Sequence, residues 1–304
     1  MSVRECPNPA VEAEPDGALE QVIVPRTSDV GGFEVARALP SAHKRLVGPF
    51  VFLDQMGPGE ILRGDGLDVR PHPHIGLSTL TYLFDGVITH RDSLGTVQDI
   101  RPGAVNWMTA GSGIAHSERS PEVVRHHGGR LFGLQAWVVL PHDQEECAPA
   151  FSHLAQNDLP QIESPGLLVR LVAGELFGQR SPLATATETL YADIELAAGV
   201  SLPLESRVEE RAIYIVTGGL DVDGHDHPAG RLLVIRPGET LTVKARQDCR
   251  FVVLGGEPMD GPRHVWWNFV SSSRDRIEQA KADWKAGRFD RVIDDNEYIP
   301  LPER

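Results

Sequence analysis

Two short segments of this 304-residue chain combine residue types that bind metal ions. They are His72-Pro73-His74 and His116-Ser117-Glu118. Residues i and i+2 of a β-strand point to the same face, so each segment can present two ligand side chains together. Proline between the first two histidines fits an edge strand, because proline donates no backbone hydrogen bond. Three imidazoles and one carboxylate suit an open octahedral site for Fe(II), Mn(II), Ni(II) or Cu(II).

Other histidines have simpler explanations, since a single His-x-His pair more often lies on a polar surface than on a metal. We expect His225-Asp226-His227 to form an exposed turn next to Asp223-Gly224. His126 and His127 lie in a polar stretch and are expected to be solvated. We place His90 on a strand near the site, behind the ligands rather than among them.

The elements that carry these residues are expected to be β-strands. The chain contains 30 glycines and 23 prolines spread along its length, which is typical of short strands joined by turns. Leu77–Phe84 alternates as a strand does, with Leu80, Tyr82 and Phe84 on one face. Near the C-terminus, serines followed by helical spacing of Ile277, Ala280 and Trp284 predict one helix over Arg274–Ala286.

An internal repeat suggests two domains of the same kind. Ile100–Gly103 recurs as Ile235–Gly238, and Tyr82–Gly86 matches Tyr214–Gly218 at a similar separation. We therefore predict a metal-binding domain over residues 1–150. A second domain over residues 151–304 would be metal-free, because its counterparts of the four ligand positions are not histidines.

The overall composition limits the function classes. A net charge of −14 disfavours direct binding of nucleic acid, whose phosphates would be repelled. No apolar run approaches the roughly 20 residues that a membrane helix needs. Three scattered cysteines, without a Cys-x-x-Cys pair, argue against a disulfide scaffold. The segment 1–17 has no apolar signal core, so we expect a cytoplasmic protein. We also expect a monomer.

Several motifs around the two ligand pairs together resemble the pirin family of the cupin superfamily. The match runs from about Leu46 to Pro141 and is looser in the second half. The matching segments are His72–Gly76, Thr81–Leu83, His90–Gly95, Pro102-Gly103, Trp107–Gly111, Gly113-Ile114, His116–Glu118, Gly129–Leu131, Gly133–Gln135 and Trp137-Val138.

The resemblance implies a bicupin: two antiparallel β-barrels of jelly-roll type packed face to face, here followed by the C-terminal helix. It implies one iron held by His72, His74, His116 and Glu118, with Mn, Ni, Cu, Co or Zn as other metals to consider. Some pirins have quercetin 2,3-dioxygenase activity, which would make a flavonol and O₂ the substrates and CO a product. Other pirins are regulators that bind partner proteins, and this alternative stays open.

In the dioxygenase interpretation, Glu118 is expected to act as both ligand and catalytic base. Trp107, Met108 and Phe84 are either pocket residues or domain core. A flavonol needs a cavity of roughly 300 Å³ or more beside the metal, whereas a filled interior favours the regulator. The chain departs from the family pattern at Ser78, where cupins usually have Glu. It also departs at Ile75, where pirins commonly have Arg and where we expect the mouth of the site.

Overall fold

The computed structural model describes residues 10–11, 17–30, 33–205 and 207–303. Regular structure in these residues is mostly antiparallel β-strand. The strands are β1 (Ala10–Val11), β2 (Leu19–Val24), β3 (Arg26–Val30), β4 (Phe33–Leu39), β5 (Phe50–Ile61), β6 (Asp68–His74), β7 (Leu77–Asp85), β8 (Ile88–Asp92), β9 (Val97–Ile100), β10 (Val105–Thr109), β11 (Ile114–Arg119), β12 (Gly129–Val139), β13 (Ala150–Leu154), β14 (Gln161–Ser164), β15 (Leu167–Ala173), β16 (Glu175–Leu176), β17 (Gln179–Arg180), β18 (Thr189–Leu196), β19 (Ser201–Leu204), β20 (Glu210–Thr217), β21 (Gly219–Val222), β22 (His225–Pro228), β23 (Leu232–Ile235), β24 (Leu241–Ala245), β25 (Cys249–Gly256), β26 (His264–Trp266) and β27 (Phe269–Ser271). The α-helices are α1 (Glu122–His127) and α2 (Arg274–Lys285).

The first domain consists of a seven-stranded and a four-stranded antiparallel sheet. Their strand orders are β13-β10-β7-β12-β5-β4-β3 and β6-β11-β8-β9. Strand β7 belongs to the larger sheet, and its alternation correctly predicted a strand; it is buried on both faces, which the alternation did not predict. Leu80 and Tyr82 point towards the second domain, whereas Leu83 packs inside the first.

The second domain repeats this plan. An eight-stranded sheet, ordered β1-β2-β23-β20-β25-β18-β15-β14, faces a four-stranded sheet, ordered β19-β24-β21-β22. Its interior is filled by aliphatic side chains such as Ile213 and Leu233. The large sheets of both domains pack against each other through one apolar cluster, in which Phe50 and Tyr82 meet Tyr191 and Tyr214. The predicted all-β fold with a C-terminal helix is confirmed.

Both ends of the chain cross from one domain to the other. Strand β2 pairs with β23 of the second domain, where Leu19 lies opposite Ile235. At the other end, β26, β27 and α2 pack on the first domain, and Phe269 forms a β-bridge with Ile75. The division into residues 1–150 and 151–304 stays a prediction, and these exchanged segments pack outside the domain it would assign them.

Helix α2 begins at the predicted residue and ends one residue before the predicted end. Its N-cap is Ser273, whose side chain accepts a hydrogen bond from the Arg276 amide. Ser272, the preceding serine, is not the cap; its amide and its hydroxyl both donate to Glu145. The six-residue helix α1 was not predicted, because it is too short to show a helical period.

The segment His225-Asp226-His227 is not the exposed turn that its sequence suggested. It forms strand β22 of a hairpin with β21. The period-2 alternation leaves His225 exposed and turns His227 inward, where it is buried. His126 and His127 are exposed, as expected. Neither helix in the described residues is long and apolar enough to cross a bilayer.

Candidate metal centre

The three predicted histidine ligands lie on two paired strands of the four-stranded sheet. On β6 and β11, His72 lies directly opposite His116, and His74 lies opposite Ile114. The ring centroids of His72 and His116 are 4.4 Å apart, and His74 lies 5.0 Å from each. Strand β6 is at the edge of its sheet, which accommodates its two prolines. The sequence spacing therefore brings these three imidazoles together.

The nitrogen atoms of this cluster are arranged to accept a cation. Nδ1 of His72 lies 2.9 Å from the carbonyl oxygen of Arg70 and donates to it, which leaves the Nε2 lone pair free. Nδ1 of His74 and Nε2 of His116 are buried without a hydrogen-bond partner among the described residues. One potential ligand atom from each of the three residues falls within 4.8 Å of the others.

Glu118, the predicted fourth ligand, lies two residues after His116 on β11. The pairing of β11 with β6 is irregular between His116 and Glu118, so that His116 lies opposite His72 and Glu118 lies opposite Val69. The carboxylate accepts a 3.0 Å hydrogen bond from the Thr81 hydroxyl of β7. Ligand atoms of Glu118, His116 and His90 also lie within 4.8 Å of one another, so His116 belongs to two overlapping groups.

Burial controls the protonation of this cluster. It lowers the pKa of His72 to about 3 and the pKa of both His74 and His116 well below the ordinary value. These imidazoles are therefore neutral near pH 7 and keep the lone pairs that metal binding requires. Burial raises the pKa of Glu118, because a lone carboxylate loses hydration there. A bound cation would compensate that loss.

His90 and Asp92 lie directly behind His116 on the neighbouring strand β8. His90 Nδ1 is 3.4 Å from His116 Nδ1, and His90 Nε2 is 3.1 Å from Asp92 Oδ2. The His90 ring also stacks on Phe151, with centroids 4.6 Å apart. His90 therefore lies next to the site, as its strand position predicted.

A cavity of about 60 Å³ opens beside the cluster. Sequence reasoning missed most of its wall, because those residues come from strands far away in the chain. One side of the wall is a buried ion pair, in which Arg37 donates to both oxygens of Asp54 at 2.8 and 2.6 Å. The other lining residues are Phe33, Val35, Phe52, Met56, Leu67, Val69, His72, His74, Glu118, Gln135, Trp137 and Asn268.

The side chains that were considered for the pocket are domain core instead. Trp107 and Phe84 pack in the cluster between the domains, and Met108 packs against Ile114. The expectation that Ile75 lies at the mouth of the site is wrong. Ile75 is buried under Phe269 and helix α2, because it points to the opposite face of the strand end from His74. Ser78 is buried and shares a hydrogen bond with Thr109.

The donor set fits a metal ion. Three neutral imidazoles form one group, the carboxylate of Glu118 forms a second group with His116 and His90, and two of the buried ring nitrogens have no partner in the described residues. Imidazole and carboxylate are the ligand types of open mononuclear sites. No thiolate approaches the group in the described residues. The His/Glu group can thus bind a metal ion, and its ligand types are compatible with several divalent metals.

Comparison with known proteins agrees with this fold. The Pirin family profile matches residues 32–138, and the profile of the pirin C-terminal cupin domain matches residues 191–290. A pirin-like protein of Caulobacter vibrioides is 53% identical over 289 residues, which cover 94% of this chain and 100% of that relative. The chain belongs to the pirin family.

Other members carry names that refer to an activity. A pirin of Pseudomonas aeruginosa, provisionally named quercetin 2,3-dioxygenase, is 39% identical over 96% of this chain and 90% of its own length. The crystal structure of a quercetin 2,3-dioxygenase from Acinetobacter baumannii superposes with a TM-score of 0.86. The two sequences are 34% identical, and the superposition covers 93% of this chain and 96% of the A. baumannii chain.

Proposed function

We propose that this pirin is a metal-dependent dioxygenase that opens flavonols such as quercetin with O₂ and releases CO. The observation that carries the proposal is the buried group of three imidazoles and one carboxylate at the wall of a largely apolar cavity. The similarity of this protein to the quercetin 2,3-dioxygenase of A. baumannii, over nearly the whole chain, supports the assignment.

In this proposal His72, His74, His116 and Glu118 hold one metal ion. We propose iron, with Mn, Ni, Cu, Co and Zn as the alternatives to test. When bound, the metal supplies Lewis acidity that lowers the pKa of a substrate hydroxyl. The carboxylate of Glu118 accepts the proton of that hydroxyl, and the Thr81 hydroxyl holds the carboxylate in place.

The remaining wall residues orient the substrate and exclude water. Phe52 and Trp137 stack with their ring centroids 4.2 Å apart, and Trp137 also meets the edge of His74 at 5.2 Å. These rings offer flat apolar surfaces to an aromatic substrate. Excluding water strengthens the electrostatic interactions of the site, because the local dielectric is lower.

The cavity is too small for a flavonol in its present form. Its volume of about 60 Å³ compares with the roughly 300 Å³ or more of typical ligand pockets. Phe33 and Gln135 are the only lining side chains that are half-buried rather than buried. We place the entrance there and propose that flavonol binding displaces them.

The test is aerobic consumption of quercetin by the iron-loaded protein, with CO measured in the headspace. We expect turnover with CO release in the wild type and none in the His74→Ala variant. The exposed His126→Ala variant is the matched control and should retain full activity. Glu118→Gln should reduce kcat while the protein still binds iron. Stoichiometric iron without quercetin turnover would overturn the dioxygenase assignment.

The small cavity favours a second candidate, a non-catalytic metal-binding regulator that acts through protein contacts. A change of one charge at a buried metal can bias a nearby surface, because the surrounding dielectric is low. The net charge of −14 fits a protein partner better than DNA. Redox-dependent changes in surface deuterium exchange, without turnover, would support this candidate.

For either candidate function we propose that the protein is cytoplasmic. The two cysteines in the described residues, Cys147 and Cys249, are unpaired, and free thiols are typical of a reducing compartment. Fractionation of cells that express the tagged full chain tests this placement.

A further inference from the structure

The carboxylate of Asp92 begins a chain of hydrogen bonds that ends at a candidate metal ligand. Asp92 is fully buried. Its Oδ1 accepts from the backbone amides of Leu94 at 2.9 Å and Thr96 at 3.0 Å, and its Oδ2 faces Nε2 of His90 at 3.1 Å. Two amide donors at Oδ1 favour the carboxylate form of Asp92, because hydrogen bonds to the charged form stabilise it. Its Oδ2 is therefore an acceptor for His90.

The position of each proton follows from this acceptor. His90 must carry its proton on Nε2 to donate to Asp92, which makes its Nδ1 an acceptor. The atom that faces this acceptor is Nδ1 of His116, at 3.4 Å, so His116 must carry its proton there. The lone pair of His116 is then on Nε2, the buried nitrogen that has no partner among the described residues.

We propose that Asp92 and His90 are positioning residues that fix the tautomer of His116 and prepare its Nε2 for the metal. The inference rests on the proposed metal centre but not on the dioxygenase reaction. It explains why a buried carboxylate and a buried imidazole lie behind one ligand without lining the cavity. It also makes His90 a partner of His116 rather than a ligand of a second ion.

The substitution Asp92→Asn tests this arrangement, because it changes proton positions without changing volume. The two backbone amides of Leu94 and Thr96 require an acceptor, so the asparagine must turn its oxygen towards them. Its NH₂ group then faces His90 Nε2, which must become an acceptor. The proton of His90 moves to Nδ1, and His116 must carry its own proton on Nε2, where it blocks the metal.

The first readout is the apparent Kd for Ni(II), measured at pH 7.5 by competition with a chelator. We expect Asp92→Asn to weaken binding by about 10–100-fold, as loss of an outer partner of a metal ligand does elsewhere. The control is Asp99→Asn, because Asp99 lies on the adjacent strand and bonds Thr89 rather than a histidine. This control should bind Ni(II) within about twofold of wild type.

A pair of variants at position 90 keeps the test decisive if Asp92→Asn folds poorly. In His90→Asn, the amide oxygen can replace the Nδ1 acceptor, so Ni(II) affinity should remain close to wild type. In His90→Leu, the Nδ1 proton of His116 loses its acceptor, so affinity should fall as in Asp92→Asn. A merely structural role would make the two variants equally weak, and that result would overturn the proposal.

The second readout needs neither metal nor substrate. In metal-free protein labelled with ¹⁵N-histidine, long-range ¹H–¹⁵N correlations report which nitrogen of His116 carries the proton. We expect Nδ1 in the wild type and Nε2 in Asp92→Asn. A wild-type His116 protonated on Nε2 would overturn the proposal, whereas absence of quercetin turnover would overturn only the proposed reaction.

Discussion

The hydroxyl of Tyr82 in the first domain donates a 2.8 Å hydrogen bond to the carboxylate of Asp193 in the second. Asp193 is fully buried and also accepts two hydrogen bonds from Arg250, at 2.8 and 2.6 Å. The guanidinium of Arg250 lies 4.4 Å above the ring of Phe84, which again belongs to the first domain. A buried ionic group thus joins the two domains beside a largely apolar interface cluster.

We expect Tyr82→Phe to lower the free energy of unfolding by about 1–3 kcal/mol, because a buried carboxylate loses one donor. Chemical denaturation measures this change. The matched control is Tyr214→Phe in the same cluster, since the Tyr214 hydroxyl is buried without a partner in the described residues. Removing that hydroxyl should be neutral or stabilising. Equal losses in both variants would contradict a specific role for the bond to Asp193.

The buried pair of Arg37 and Asp54 should show strong coupling in a double-mutant cycle. Replacing Arg37 alone with Met leaves an unpaired buried carboxylate, whose pKa burial already raises, and should destabilise the protein by about 3–5 kcal/mol. The double variant Arg37→Met, Asp54→Leu should lose less than the sum of the single changes. Additive losses in urea denaturation would show that the pair contributes no coupling.

The metal-free protein should lose stability on acidification below pH 6.5. The folded pKa of His72 is about 3 against an ordinary value of 6.5, and His74 and His116 shift in the same direction. Below pH 6.5 the unfolded chain binds protons that the folded chain does not, so unfolding becomes easier as pH falls. Each histidine contributes about 1.4 kcal/mol per pH unit in that range.

Denaturation of chelator-treated protein between pH 7.5 and 5 measures this slope. The raised pKa of Glu118 acts in the opposite sense, but three histidines outnumber it. His72→Asn removes one titrating imidazole and should flatten the slope by about 1.4 kcal/mol per pH unit. The exposed His126→Ala variant should leave the slope unchanged. If the slope is the same in wild type and His72→Asn, His72 is not a neutral buried residue in the folded protein.

The C-terminal segment should loosen when Arg119 is replaced by Ala. Arg119, on ligand strand β11, donates to Asp295 at 2.8 and 2.9 Å and to Glu297 at 2.6 Å. Just beyond these residues, the Ile299 amide donates to the carbonyl of Pro71, next to His72. We expect faster deuterium exchange in peptides covering residues 293–299 and a small change in global stability. Arg288→Ala, which removes an exposed pair with Asp283, is the control.

The parts of the site that could be predicted are those encoded locally. The pairs around Pro73 and Ser117 each bring two candidate ligands to one strand face by the two-residue period of a strand. The same period placed Leu80 and Tyr82 on one common face, and they do pack in the same cluster. These predictions depend only on neighbouring residues in the sequence, so they do not require knowledge of the tertiary structure.

The rest depends on contacts between distant segments. Arg37 and Asp54 pair because β4 and β5 adopt a register that places them opposite each other. The sequence of neither strand indicates which residue of the other strand it will face. Ile75 follows a ligand in sequence but is covered by Phe269, which comes almost 200 residues later. The inward turn of His227 likewise depends on where the hairpin of β21 and β22 packs.

The exchange of chain ends has a consequence during protein synthesis. The amide of Ala18 donates a hydrogen bond to Asp223, 205 residues further along the chain. Strand β2 likewise pairs with the much later strand β23. Strands β6 and β11 leave the ribosome long before α2 can cover Ile75. The sheets of the first domain draw all their strands from residues 26–154, whereas β2 has no partner until β23 has been translated, so a growing chain carries that unpaired strand for most of its synthesis. The sheets of the first domain can thus form early, but Ile75 stays uncovered until Phe269 and α2 have been made.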